Sequence, residues 1–285
     1  MATLPFPCNA TPLTADGVQN AIDTLGIDAP TLWAMLTVET LGCGYLASRR
    51  PQILFERHIF SKLTGGEWDA TAPDVSNPVP GGYGAAGDFQ YTRLAKAYQL
   101  NQNDPNEPAD PGAPSPTRTA ALASTSWGLG QVLGTNAAAV GFGSIQEMVA
   151  PMSDSEDGQL AAVVNFILAN NLENALQQQD WSTYAHGYNG PNFAKNQYDT
   201  RMMQAYSLYQ DGSKLPDMTI RAGQVLLLLL GFDPSGVDGQ LGPHTLVALH
   251  NFQSQNGIPL SLGIDANVLA ALNAALPAAP NLQLQ

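Results

Sequence analysis

The sequence predicts a mainly α-helical protein, with one large helical domain followed by a smaller one. Apolar residues recur at helical spacing along most of the 285 residues, whereas the period-two alternation of a strand is almost absent. A turn-rich stretch at 210–216, Gln-Asp-Gly-Ser-Lys-Leu-Pro, interrupts this pattern and is typical of a linker. We therefore predict a first domain over 1–211 and a second domain over 217–285.

Two helices are predicted near the start of the chain. The apolar face of the first ends at Gly26, and Pro30 suits the opening turn of the second, which continues through apolar residues to about Glu39. A further apolar-patterned segment follows over 53–63. Glycine and proline then dominate 67–87, which predicts a long ordered loop.

The rest of the first domain is predicted to be densely helical around a surface excursion at 101–116. Ser153 is the predicted N-cap of the longest helix, with Glu156 completing a capping box. The predicted helices cover about 89–99, 117–124, 131–140, 144–150, 154–170, 172–178, 181–186 and 192–209. The second domain is predicted as three helices, over 220–230, over 243–255, and a third that ends near Leu276.

The composition argues against several classes of partner. The formal net charge is −13 with only 11 lysines and arginines, so we expect no nucleic-acid partner. The longest apolar run, 225–230, is too short to insert into a membrane. The four histidines and two cysteines show no metal-ligand spacing, so we expect no metal, no cofactor and two free thiols. The N-terminal residues lack the features of a signal peptide, which predicts synthesis in the cytoplasm.

Glu39 has the strongest chemical implication. It closes an apolar helical run and precedes a glycine-rich turn at Gly42 and Gly44. An apolar setting raises the pKa of a carboxyl group and keeps it protonated near neutral pH. A protonated carboxyl can donate to a leaving-group oxygen, as the general acid of a glycosidase does. The alternative, on this window alone, is a helix-end glutamate that points into water.

Three further segments, 51–58, 126–131 and 185–191, carry residues suited to binding a sugar. Aromatic rings stack on the apolar face of a sugar, and side-chain amides hydrogen-bond its hydroxyl and N-acetyl groups. Neighbouring glycines let the backbone approach a bound chain closely. The candidate residues in these segments are a second acid, Glu56, and the substrate-binding candidates Trp127, Gln131, Tyr188 and Asn189.

Together with Glu39, these segments resemble the phage endolysin N-acetylmuramidase family, a branch of the lysozyme-like fold related to lytic transglycosylases. The resemblance spans about 15–210 and rests on the segments 37–40, 51–60, 124–134 and 185–191. It implies that Glu39 is the catalytic acid and that Gln131 and Tyr188 line the sugar groove or orient the acid. Thr40 departs from the serine more usual in this fold but keeps the hydroxyl.

The tail, 217–277, resembles a small three-helix peptidoglycan-binding module, on the segments 230–242 and 248–253. The two resemblances imply an endolysin-type muramidase. It would cleave the β-1,4 bond between N-acetylmuramic acid and N-acetylglucosamine while the second domain holds bacterial peptidoglycan. We expect a monomer that reaches the wall through a separate membrane-permeabilising protein.

The residues leave alternatives open. Glu56 either guides water or stabilises charge at the sugar carbon, or is a structural acid paired with Arg57 or another base. Trp127 is either a sugar platform or a core residue, and Gln131 either lines the groove or caps a helix. Cys43 is expected to be a small buried hydrophobic residue. The alternative enzyme is a lytic transglycosylase with 1,6-anhydro products, and the alternative without activity is a wall-binding virion protein.

Overall fold

The computed structural model of the chain describes residues 2–39, 42–110, 112–191 and 193–284, and of Glu39 it describes the backbone only. Thirteen α-helices, two 3-10 helices and five short strands occur in these ranges. The prediction of a mainly α-helical protein is confirmed. In the same ranges, we find no helix that combines the length and the apolar character needed to cross a membrane.

The helices follow the predicted order. Those of the first domain are α1 (Ala15–Leu25), α2 (Ala29–Glu39), α3 (Arg57–Leu63), α4 (Asp88–Tyr98), α5 (Pro116–Ala123), α6 (Ile145–Asp154), α7 (Glu156–Ala169), α8 (Glu173–Gln177), α9 (Trp181–Asn189) and α10 (Tyr198–Tyr209). Those of the second domain are α11 (Met218–Leu229), α12 (Pro243–Gln255) and α13 (Ala266–Ala275). The 3-10 helices are Gly134–Asn136 and Phe193–Asn196.

The strands form two small antiparallel sheets. The first pairs β1 (Thr3–Pro7) with β5 (Asn281–Gln283). The second contains β2 (Ile53–Phe55), β3 (Thr125–Trp127) and β4 (Val132–Leu133) in that order. The second sheet therefore brings two of the predicted sugar-binding segments side by side, although about 70 residues separate them in the chain.

The apolar-patterned segment 53–63 is a strand followed by a helix. The helix predicted over 131–140 is wrong, because β4 and a 3-10 helix occupy its first half. Short apolar runs fit a strand as well as a helix, which explains this difference. The helix predicted over 192–209 begins only at Tyr198, after the 3-10 helix Phe193–Asn196. The predicted capping box is also wrong. Ser155 is the N-cap of α7, where its hydroxyl accepts a hydrogen bond from the Gly158 amide, and the carboxylate of Glu156 is buried.

α2 is a central helix of the first domain. Leu32, Met35 and Leu36 are almost completely buried, and α10 packs along the helix. Full burial of a large apolar side chain stabilises the fold by about 1.5–3 kcal/mol. The packing therefore fixes α2, and with it the backbone of Glu39 at its last residue.

The second domain has its own apolar core, which includes Leu227, Leu249 and Leu272. It also shares a buried cluster with the first domain. In that cluster Ala10, Cys43 and Tyr45 pack with Val225, Leu229 and Val237. The boundaries at 211 and 217 stay a prediction. The two predicted domains share this buried apolar cluster.

Leu282→Ala is expected to lower the free energy of unfolding by about 2–3 kcal/mol, because Leu282 is fully buried and pairs with buried Leu4 across the β1–β5 sheet. Urea denaturation measures the effect. Leu262→Ala is the matched control, because Leu262 is 94% exposed and its truncation should change the stability by less than about 0.5 kcal/mol. Equal effects of the two variants would show that the β1–β5 sheet does not stabilise the protein.

Candidate active site

Four of the six predicted site residues line a single cleft of about 390 Å³, namely Glu56, Gln131, Tyr188 and Asn189. Glu56 follows β2 directly, and Gln131 lies in the turn between β3 and β4. Tyr188 and Asn189 form the last turn of α9. The other lining residues are Leu54, Ser126, Gly130, Val132, Leu133, Asn136, Phe166 and Tyr198. The cleft thus presents amide, hydroxyl, carboxyl and aromatic groups together, which suits a carbohydrate.

The turn that carries Gln131 has an unusual backbone. Gly128 and Gln131 both have positive φ values, 67° and 49°, and such a value is rare for glutamine. The Gln131 side chain holds this conformation, because its amide nitrogen donates to the carbonyl of Gly128 at 2.8 Å and to that of Gln52 at 3.3 Å. The alternative that Gln131 caps an α-helix is therefore wrong. It both lines the cleft and fixes the turn, and backbone strain of this kind is common at functional sites.

Tyr188 connects α9 to the same turn. Its hydroxyl donates to the carbonyl of Gly130 at 2.8 Å. Its ring stacks on Tyr184, with centroids 5.3 Å apart, and meets the ring of Phe166 edge-on at 5.1 Å. The ring is therefore held on one face and one edge, and the residue lines the cleft from a rigid position.

Tyr188→Phe is expected to lower the stability by about 1 kcal/mol, because the Gly130 carbonyl loses its donor while the ring contacts stay. We expect wall-digesting activity to fall several-fold as the turn that carries Gln131 loosens. Thermal unfolding and a turbidity assay measure the two effects. Tyr206→Phe is the control, because within the described part of the chain the hydrogen bond of the Tyr206 hydroxyl is a long one, of 3.5 Å to Asp28. Matching losses in both variants would contradict a role for the Tyr188 hydroxyl in the cleft.

Glu56 is a largely buried acid of the cleft, with its side chain 16% exposed. Burial raises its pKa, and the charge of His58, a hydrogen bond from Tyr83 and the charge of Arg93 offset this only in part. The contact with His58 joins Oε2 to Nδ1 at 3.2 Å. Of the bases considered for Glu56, the partner is His58 and not Arg57, whose guanidinium lies beside Gly82. A cleft carboxyl with a raised pKa is suited to proton transfer.

Trp127 does not belong to the cleft, and the prediction that it binds sugar is wrong. Its side chain is fully buried in β3, and its indole nitrogen donates to the carbonyl of Leu122 at 3.2 Å. A sugar platform needs an exposed ring face. Trp127 lies in the central strand of the sheet and is part of the core.

The side chain of Glu39 and residue Thr40 lie outside the described residues. The backbone on both sides is held. The carbonyl of Val38 accepts a hydrogen bond from Arg201 at 3.4 Å, and the carbonyl of Gly42 accepts one from Arg221 at 2.6 Å. Burial raises the pKa of the Cys43 thiol to about 12, which confirms Cys43 as a small buried hydrophobic residue.

A second cavity, of about 330 Å³, links the end of α2 to the turn that carries Gln131. Leu36 and Thr37 line it from α2, and Leu129 lines it from the turn. Because Gly130 and Gln131 line the first cavity, the turn 128–131 borders both. The helix that ends at Glu39 and the cleft that holds Glu56 therefore meet at this turn.

Phe166, Asn136 and Tyr198 line the cleft but lie outside the segments predicted to bind sugar. Phe166 lies in an apolar stretch of α7 that resembles core along its whole length, and no sequence signal separates it from its buried neighbours. Asn136 lies in the segment that was wrongly predicted as an α-helix. Glycines at 128, 130 and 134 were the available signal that the chain turns there.

Two comparisons with known proteins find similarity to this chain. Residues 28–210 match the muramidase family model, described as N-acetylmuramidase. A crystal structure of a Burkholderia AP3 phage endolysin is similar to the chain, with 34% sequence identity and a TM-score of 0.60. The similarity covers 71% of this chain and 72% of the endolysin chain. A search of curated protein sequences gives no significant match.

Proposed function

Because the chain belongs to the N-acetylmuramidase family, an enzyme family that cleaves peptidoglycan, we propose that it is a phage-type endolysin. It cleaves the β-1,4 bond between N-acetylmuramic acid and N-acetylglucosamine. The observation that carries this proposal is the cleft that gathers Glu56, Gln131, Tyr188 and Asn189 beside the turn bordering the end of α2.

The proposed reaction begins with Glu39 as general acid. It protonates the glycosidic oxygen while positive charge develops at the sugar carbon. Gln131 and Asn189 supply amides that hold hydroxyl or N-acetyl groups, and Tyr188 supplies an aromatic wall. Glu56 then guides a water molecule to the sugar carbon and accepts its proton. Its place in the cleft and its contact with His58 support this role.

Mass spectrometry of digested peptidoglycan tests the proposed bond and reaction. Cleavage by water at the muramic acid carbon leaves a reducing muramic acid end. A 1,6-anhydro end would instead mean that the substrate's own C6 hydroxyl attacks, as in a lytic transglycosylase. A reducing glucosamine end would show that a different bond is cleaved. Undigested walls would show that the protein does not cleave peptidoglycan.

Glu56→Gln is expected to lower turnover about 100-fold, because the amide cannot accept a proton from water. The release of reducing ends from purified walls measures turnover. Glu67→Gln is the control, because Glu67 is an exposed glutamate in the loop after α3. Full activity of Glu56→Gln with unchanged products would show that Glu56 is a structural acid.

The second domain is proposed to bind peptidoglycan and to keep the enzyme on its substrate, over about residues 217–285. Tethering raises the effective concentration of the substrate without new contacts in the cleft. The similarity of the chain to a phage endolysin supports synthesis inside a host cell and release to the wall by a separate membrane-permeabilising protein. Sedimentation with purified walls tests the binding.

A further inference from the structure

A buried ion pair joins the two domains beside the end of α2. Glu156 of α7 and Arg221 of α11 are 0% and 1% exposed in their side chains. The guanidinium meets both carboxylate oxygens, with Nη1 to Oε2 at 2.6 Å and Nη2 to Oε1 at 3.0 Å. Two-point contact of this kind fixes the orientation of both groups. A buried ion pair needs further hydrogen bonds to offset the loss of hydration. The partners in those bonds show which part of the chain the ion pair fixes.

Those other contacts all lead to the first domain. Nη2 of Arg221 donates to the carbonyl of Gly42 at 2.6 Å, and Oε1 of Glu156 accepts from the amide of Gly44 at 2.8 Å. The guanidinium also lies 5.8 Å from the ring centroid of Trp33 in α2. The pair thus holds the first and last residues of the turn that follows Glu39.

The backbone of the second domain touches the same turn. Gly42 has a φ of 95°, and a Cβ atom there would lie only 2.4 Å from the carbonyl oxygen of Val237. Glycine is therefore required both by the backbone conformation and by this close approach. Arg201 donates to the carbonyl of Val38, so the described backbone on either side of the proposed acid, at Val38 and at Gly42, is hydrogen-bonded to an arginine.

We propose that Arg221 is a positioning residue for the turn at Gly42 to Gly44, which follows the proposed acid Glu39, so that the second domain completes the active site as well as binding the wall. This rests on the proposed function, in which Glu39 is the acid. Arg221 does not touch the substrate bond. It acts through the turn, because a displacement of about 1 Å in a catalytic group can lower turnover about 100-fold.

Arg221→Lys is the main test. Lysine keeps the charge but cannot reach both oxygens of Glu156 and the Gly42 carbonyl together. Arg118→Lys is the matched control. Arg118 is also buried, pairs with Glu107 at 2.8 Å and donates to three backbone carbonyls, but it lines a separate cavity with Tyr98 and Gln102. Arg221→Met and Arg118→Met form a second pair, and the lysine pair suffices if either methionine variant does not fold.

Kinetics on soluble glycan strands, well below the unfolding midpoint of each variant, separate positioning from wall binding. We expect Arg221→Lys to lower kcat about 10- to 100-fold and to change KM less than about threefold, with Arg118→Lys close to wild type. Unchanged kcat, or an equal fall in both variants, would overturn the proposal. A rise in KM alone would overturn it too, because that result indicates lost substrate binding.

Hydrogen exchange gives a readout that does not depend on activity. The amides of residues 42–46 should exchange at least about tenfold faster in Arg221→Lys and stay unchanged in Arg118→Lys. Unchanged protection in both variants would overturn the proposal. The assignment of Glu39 as the acid can be rejected independently of the proposal for Arg221. If Glu39→Gln cleaves like wild type while Arg221→Lys loses turnover and protection, the acid is wrong and the positioning of this turn by Arg221 stands.

Discussion

Glu39→Gln is expected to abolish wall digestion, with a fall in turnover of about 1,000-fold or more. A general acid contributes up to about 10⁴-fold to a reaction, and the poor leaving group of a glycoside depends on protonation. Glutamine has nearly the shape of glutamic acid but carries no acidic proton. Because the second domain binds the wall in the proposed function, the variant should still sediment with purified walls. Turbidity of a wall suspension and sedimentation of the protein measure the two properties on one sample.

The control for this variant is Glu67→Gln, which removes one carboxyl from the exposed loop after α3. It should digest walls at the wild-type rate. A Glu39→Gln protein that retained a tenth or more of the wild-type rate would reject Glu39 as the acid. Loss of both digestion and sedimentation, together with a lowered unfolding midpoint, would show that Glu39 is a structural residue.

Much of the fold could be predicted because the sequence signals of a helix lie within the helix itself. The apolar residues that indicate α1, α2 and α4 lie within each helix, and so the positions of these helices follow from short windows of sequence. The turn at 128–131 was not predictable in detail. Its form depends on the amide of Gln131 bonding to Gln52, which lies in a different segment. The burial of Trp127 was not predictable for the same reason, because its sheet partner Ile53 and its core neighbours lie in other segments.

The ion pair between the domains was even less predictable from short windows of sequence. Glu156 and Arg221 are separated by 65 residues, and each has a convincing local explanation. Glu156 follows a serine at a helix start, and Arg221 is a single charge at the start of an apolar helix. Neither window reveals that the two side chains are buried against each other. A charged residue within an otherwise apolar helix was the only available signal.

The largest loss of stability is expected when one partner of this ion pair is removed. Glu156→Gln should lower the free energy of unfolding by about 3–5 kcal/mol, because it leaves the guanidinium of Arg221 buried without a counter-charge. The joint variant Glu156→Leu with Arg221→Met should recover part of this loss, because no buried charge remains while the amides of Leu13 and Gly44 and the carbonyl of Gly42 lose their partners. Asp74→Asn is the control. The Asp74–Lys96 pair is exposed, and exposed pairs contribute less than about 1 kcal/mol.

The pH dependence gives a second test of this ion pair. Burial alone would raise the pKa of Glu156, but the charge of Arg221 and hydrogen bonds from Arg221, Gly44 and Leu13 outweigh it and hold the pKa below its ordinary value of 4.5. The stability from this group is therefore fully present above pH 4.5 and is lost as the pH falls towards the folded-state pKa. In urea denaturation from neutral to acidic pH, wild type should lose stability below about pH 4.5 more steeply than the joint variant. Parallel pH profiles of stability for wild type and the joint variant would contradict a stabilising ion pair between the domains. A loss of stability in Glu156→Gln no larger than that in Asp74→Asn would contradict it as well.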